Sequence, residues 1–128
     1  MATEMIDNPR LIRGFAQNVD VVIASGATGL SGALDLKGMT PVAIQMPAAW
    51  VAADLTFQVS LDGGVTYANL YDEDGTEIAV KVAASRVVAL NTVAKYWSGG
   101  WIKFRSGTAA LAVDQTASRT LILSARLG

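Results

Sequence analysis

From Val19 onward the chain reads as short β-prone runs in which apolar and polar positions alternate, divided by Gly, Asp, Asn and Ser. The first run, Val19–Ala24, ends in the turn residues Ser25-Gly26-Ala27-Thr28-Gly29. In Ala33–Lys37 the pattern sends Leu34 and Leu36 to one face and Asp35 and Lys37 to the other, because successive strand side chains point opposite ways. Val42, Ile44 and Met46 repeat this until Pro47, which has no N–H for a ladder. Leu55, Phe57 and Val59 alternate most cleanly, with Thr56, Gln58 and Ser60 expected outward, and Asp62-Gly63-Gly64 supplies the positive-φ residues of a tight hairpin. A return strand over Val65 to Tyr71 precedes a second turn, Asp72-Glu73-Asp74-Gly75, after which Ile78, Val80 and Val82 mark another strand. Ser85–Leu90, Trp101–Ser106 and Thr120–Leu127 complete the set, and Trp101–Ser106 places Ile102 and Phe104 on one face and Lys103 and Arg105 on the other.

Between these runs, Pro47 to Ala53 reads as a short helical turn or a wide crossing, and Asn91 to Tyr96 as a loop or one helical turn. Gly107–Ser118 is a long polar and alanine-rich connection. Eight or nine short strands with almost no helix predict an all-β, antiparallel β-sandwich with jelly-roll or Greek-key connections. A small closed barrel has the same periodicity and stays open. Residues 1–18 carry neither period, and Asp7-Asn8-Pro9 breaks any helix there, so they are expected to form an extended N-terminal arm ahead of a single domain over 19–128.

Composition sharpens this in one direction. The chain is 52% hydrophobic but only 16% charged, against about 25% charged in an average soluble protein. A domain of 128 residues hides only about two thirds of its unfolded surface, so surplus apolar groups point to self-association or incorporation into a larger particle. A net charge of −1 gives no basic surface for releasing counterions from nucleic acid, which excludes DNA and RNA as expected partners. Acidic Glu4 and Asp7 argue against a signal peptide, and the apolar stretch Pro41–Ala53 is too short to cross a bilayer, so no membrane association is expected.

Candidate chemistry is sparse. The sequence has neither histidine nor cysteine, which removes the usual general base near neutral pH, any thiolate nucleophile and any disulfide. No Gly-x-Ser-x-Gly elbow and no Ser-x-x-Lys motif occurs. No enzyme activity, catalytic residue or cofactor is therefore expected. The acidic loop Asp72-Glu73-Asp74-Gly75-Thr76-Glu77 falls short of a calcium-binding loop and reads as a solvated hairpin with Gly75 at the positive-φ position, so no metal is expected. Tyr67, Tyr71, Trp97 and Trp101 are candidate stacking platforms for a glycan or anchors for a protein interface.

The run from Trp50 to Gly64 (WVAADLTFQVSLDGG), with Leu70-Tyr71-Asp72 and Gly75-Thr76-Glu77, forms a long pattern of fixed spacing. It continues in Lys103-Phe104-Arg105-Ser106-Gly107-Thr108, Val113-Asp114-Gln115 and Arg119. This pattern resembles small structural proteins encoded in the head-gene region of tailed bacteriophages, prophages and gene transfer agents. The resemblance covers most of residues 19–127 and leaves the arm outside. It implies a virion protein of the capsid decoration, cement or head-spike-base type, made in the host bacterial cytoplasm and placed on the capsid surface. Its partners would be the major capsid protein or other virion proteins and copies of itself, with a trimer favoured over a pentamer.

Within that expectation the arm residues Arg10, Leu11, Ile12, Arg13 and Phe15 are the first candidates for a partner interface, and the connection Thr108–Ser118 is a second. The alternatives are a lectin-like carbohydrate-binding module displayed on a virion, or a tail or baseplate subunit.

Overall fold

A computed structural model describes residues 16–26, 28–91 and 100–126. Among the described residues eight strands form two sheets: β1 (Ala16–Ile23), β2 (Leu34–Asp35), β3 (Thr40–Gln45), β4 (Leu55–Ser60), β5 (Ala68–Asn69), β6 (Val87–Ala89), β7 (Trp101–Ser106) and β8 (Arg119–Arg126). The first sheet has the order β1-β8-β3-β6 and the second β2-β7-β4-β5. Every pairing is antiparallel. The result is an all-β protein built as a two-sheet sandwich, the architecture the alternation predicts. Among the described residues no helix is long and apolar enough to cross a membrane.

The chain passes between the sheets at almost every step, and within one sheet only β4 is followed by its sequence neighbour, β5. The sandwich is thus held by pairings distant in sequence, such as the full-length ladder from Ala16↔Arg126 to Ile23↔Arg119.

Period two decides what lies between the sheets. Val21, Ile23, Ile44, Leu121 and Leu123 of the first sheet and Leu55, Phe57, Ile102 and Phe104 of the second are buried in one cluster. Phe57 and Phe104 are direct cross-strand partners, and their rings meet edge to face with centroids 5.2 Å apart, the geometry that aligns a positive ring edge with a negative face. Leu36, Met46, Ile78 and Leu90 close the cluster from the crossings.

Several expectations are corrected at strand ends. Strand β1 begins at Ala16, so the last residues assigned to the arm belong to the ladder with β8. The return strand expected over Val65–Tyr71 shrinks to Ala68–Asn69, because Asp62 gathers the preceding backbone into a loop. The strand expected at Ile78, Val80 and Val82 is replaced by isolated bridges, Tyr71↔Glu77 and Leu55↔Val80, although Ile78 and Val80 are buried as its apolar period requires. Pro47–Ala53 is a wide crossing rather than a helical turn. The segment expected to turn at Asn91–Tyr96 lies almost wholly outside the described residues.

Two devices, one hydrogen-bonded and one steric, fix the crossings. The buried side chain of Gln115 copies a strand partner: its Oε1 accepts from the Val51 N–H (2.8 Å) while its Nε2 donates to the Val51 carbonyl (3.0 Å). This ties the β7–β8 connection to the β3–β4 crossing. At Gly107 (φ 93°) the chain folds back so closely that a Cβ would lie 2.6 Å from the Leu111 carbonyl oxygen and the Val113 nitrogen, so only glycine fits.

Truncating Phe104 removes one ring of the central pair and leaves a void that two sheets held by long ladders cannot collapse to fill. Phe104→Ala is expected to cost about 3–5 kcal/mol in chemical denaturation, a large share of the roughly 5–15 kcal/mol typical of a domain. A loss below about 1 kcal/mol would show that the ring pair is not central to the core.

Candidate functional site

The two outer faces of the sandwich are unlike each other, and the difference starts at Arg105. Alternation turns Thr56 and Arg105 outward on the second sheet, yet both are buried. For Thr56, and for Ser60, which is also buried, that corrects the outward expectation; over Thr56 and Arg105 the cause is a layer of loop. Arg105 donates through Nε to Thr56 Oγ1 (2.9 Å), through Nη1 to Asn69 Oδ1 (2.9 Å) and through Nη2 to Glu77 Oε2 (2.7 Å). The ion-paired side chains of Arg105 and Glu77 are 7% and 15% exposed. Glu77 also accepts from the Ala109 N–H (3.0 Å), and Thr56 donates to the Gly107 carbonyl (2.7 Å). One guanidinium thereby pins the 72–77 hairpin and the connection after β7 onto the back of the second sheet. Its planar fork, with several fixed donors, suits a buried branch point that lysine could not serve.

The acidic hairpin is spent on its own geometry. The Asp72 carboxylate accepts from the Asp74 and Thr76 N–H groups, both at 2.9 Å, and Gly75 takes the positive φ (85°) assigned to it. Among the described residues no group of three or more acidic side chains is arranged to hold a metal ion.

At the β4–β5 connection Asp62 plays the corresponding part. Its carboxylate accepts from the Ser60 hydroxyl (2.7 Å), the Val65 N–H (3.1 Å), the Thr66 N–H (2.9 Å) and the Thr66 hydroxyl (2.5 Å). Donation from the Thr66 side chain, then from its backbone and from Ser60, holds the Asp62 carboxyl well below the usual carboxylate range. The expected tight hairpin is in fact this wider carboxylate-centred loop, in which Gly63 and Gly64 both take positive φ.

The candidate aromatics separate into distinct roles. Trp101 lies in β7 with its indole against Gly64, where a Cβ would come within 3.0 Å of the ring. One face of that indole is therefore occupied by the loop. Tyr67 carries Lys103 Nζ over its ring, 4.3 Å from the centroid, and its hydroxyl is buried with no hydrogen-bond partner among the described residues. Tyr71 is half exposed. Trp97 and the arm residues Arg10, Leu11, Ile12, Arg13 and Phe15 lie outside the described residues.

Tyr67 and Tyr71 are brought together in an open groove of about 450 Å³ along β5, whose wall includes Val59, Leu61, Asn69 and Leu70. Sequence reasoning named the tyrosines but missed Leu61, which is 87% exposed. Its signal was legible: Leu61 continues the alternation of Leu55, Phe57 and Val59 one step past the end of the strand. The second interface candidate, Thr108–Ser118, is stapled down by Glu77, by Gln115 and by a bond from the Gly26 N–H to Asp114 (3.0 Å), with Leu111 exposed at its tip.

Among the described residues, the outer face of the first sheet has no such cover built from its own hairpins. Its outward positions are Asn18, Asp20 and Val22 on β1, Thr120, Ile122, Ser124 and Arg126 on β8, Ala43 and Gln45 on β3, and Val87 and Ala89 on β6. Asp20 and Arg126 are the charged members, and Val22 and Val87 are exposed large apolar groups. This is a broad sheet surface with small side chains and little charge.

Two substitutions test the electrostatic reading. Glu77→Ala leaves the Arg105 cation buried without its partner and is expected to cost about 3–5 kcal/mol in urea denaturation. Replacing the pair together, Arg105→Met with Glu77→Leu, is expected to recover most of that loss, since the desolvation cost disappears with the charges. Asp62 makes a pH prediction. Its folded pKa lies below its unfolded value, so its contribution is present above about pH 4 and declines as pH falls toward the folded value. Asp62→Asn should lower the melting temperature at neutral pH and flatten its decline below about pH 4. An unchanged pH profile would remove Asp62 as the organiser of the loop.

Comparison with protein-family models, with curated proteins and with solved structures returned no match to this chain.

Proposed function

We propose that this chain is a non-enzymatic structural subunit of a phage-type virion, of the capsid decoration, cement or head-spike-base kind, which binds the capsid and associates with its own copies. The observation that carries the reading is the contrast between the outer faces. The second sheet is covered by its own loops through Arg105, whereas the first presents a wide face of small and apolar side chains with Asp20 and Arg126 as its charges. A face depleted of charge and provided with apolar groups suits the buried centre of a protein interface. Low overall charge and the sequence pattern from Trp50 to Gly64 support the same reading. Carbohydrate stacking is less favoured, because Trp101 and Tyr67 each have a ring face occupied, by Gly64 and Lys103 respectively.

In this proposal the first sheet rests on the capsid lattice, and the loops of the second face away from it. Val22→Asp with Val87→Asp places charge on that face without touching the core. It is expected to reduce co-sedimentation with capsids assembled from the accompanying major capsid protein by about tenfold or more, roughly 1.4 kcal/mol, with an unchanged circular dichroism spectrum. A wild-type chain that sizes as a strict monomer and ignores capsids would end the proposal.

A further inference from the structure

The groove along β5 is also the open edge of the second sheet. The Leu70 N–H bonds to the Phe57 carbonyl (3.0 Å), so Ala68 and Leu70 turn their backbone groups toward β4. Those of Tyr67, Asn69 and Tyr71 then turn to the open side, because ladder bonds alternate along an antiparallel strand. Among the described residues no strand lies there. The groove wraps this edge on both sides, with Tyr67 and Tyr71 on the outer side and Val59, Leu61 and Leu70 on the core side. Beyond Tyr71 the hairpin tip presents Glu73 and Asp74, both exposed.

An occupant that fits must supply backbone for the ladder, apolar side chains on both of its faces and positive charge for the hairpin. Residues 1–15 of this chain contain that combination. In an extended segment, period two puts Leu11, Arg13 and Phe15 on one face and Arg10 and Ile12 on the other. Fifteen extended residues span at most about 50 Å, enough to leave one domain and lie on the next. The segment joins β1, which is at the edge of the first sheet and touches β7 across the sandwich, whereas β5 edges the second sheet beyond β4.

From this juxtaposition we infer that the arm of one copy adds as a strand to the β5 edge of a neighbouring copy, with Leu11, Ile12 and Phe15 in the groove and Arg10, at the end of that run, facing Glu73 and Asp74. The contact follows the strand-addition mode, in which main-chain bonds give affinity and alternate side chains give register. It deepens the proposed self-association and rests on that reading, while leaving the first sheet free for the lattice.

Because the chain has no cysteine, thiols can be placed without background. Full-length Ile12→Cys is mixed with full-length Tyr71→Cys and oxidised. A disulfide-linked dimer is expected to form about tenfold or more faster than with Val22→Cys, whose thiol lies on the other sheet. Leu61→Cys, on the opposite wall of the groove, should repeat the result. Adding Arg10→Glu to the donor should abolish the link, and Glu73→Lys with Asp74→Lys in the acceptor should restore it. Equal linking at Tyr71→Cys and Val22→Cys overturns the inference, as does linking found only within a chain that carries both thiols. A groove that retains a soluble glycan and links nothing overturns it too. Capsid co-sedimentation of the same mixtures separates the two levels. Capsid binding without a groove-specific link discards the arm docking and keeps the virion role, whereas a specific link without capsid binding keeps the docking and discards the role.

Discussion

Contact between the inner faces of the two sheets, centred on Phe57 and Phe104, is the constraint from which the other features follow. The sequence contains no cysteine, so no disulfide shares the task of holding the sandwich together. The strands therefore have to spend one whole face on the core. That requirement fixes which side chains face away, and so fixes the composition of both outer surfaces before any partner is considered.

The two outward faces then meet different fates. On the second sheet an arginine sits where alternation demands an outward residue, and the chain folds its own loops over it. A buried ion pair of this kind adds little net stability compared with apolar replacements, because desolvation offsets most of the attraction. Its service is positional. The fork of Arg105 reaches β4, β5 and the 72–77 hairpin at once, and Glu77 passes the restraint on to Ala109. Among the described residues the first sheet has no equivalent buried arginine, and apart from Asp20 and Arg126 its outward positions are small, apolar or neutral. Among the described residues the asymmetry gives a covered back and an accessible front, the contrast on which the proposed lattice contact rests.

Much of the fold was legible because side-chain periodicity is a local property. The alternation at Leu55, Phe57 and Val59 and at Ile102 and Phe104 identified both the strands and the buried ends of their residues. What local pattern could not convey was long-range cover. Alternation turns Thr56 outward and sets Arg105 on the face opposite Phe104, and nothing near them in sequence reveals that Glu77 and Gly107 will close over them. The run at Ile78, Val80 and Val82 has a strand's periodicity but lies beside β4 only at Leu55, so it makes bridges instead of a ladder. The Asp62 loop shows the converse case. Its turn glycines were recognised, but the reach of one carboxylate to Thr66 widened the turn and shortened β5 to a stub. Of the candidate site, Tyr67 and Tyr71 line one groove, which also depends on Leu61 and on an edge that only the sheet order exposes.

A cryo-EM map of native particles tests the central claim most directly. The account predicts density for this sandwich on the shell, with β1, β8, β3 and β6 toward the capsid and the Arg105-pinned loops pointing outward. Density with the second sheet against the shell, or particles that carry no such subunit, would contradict it.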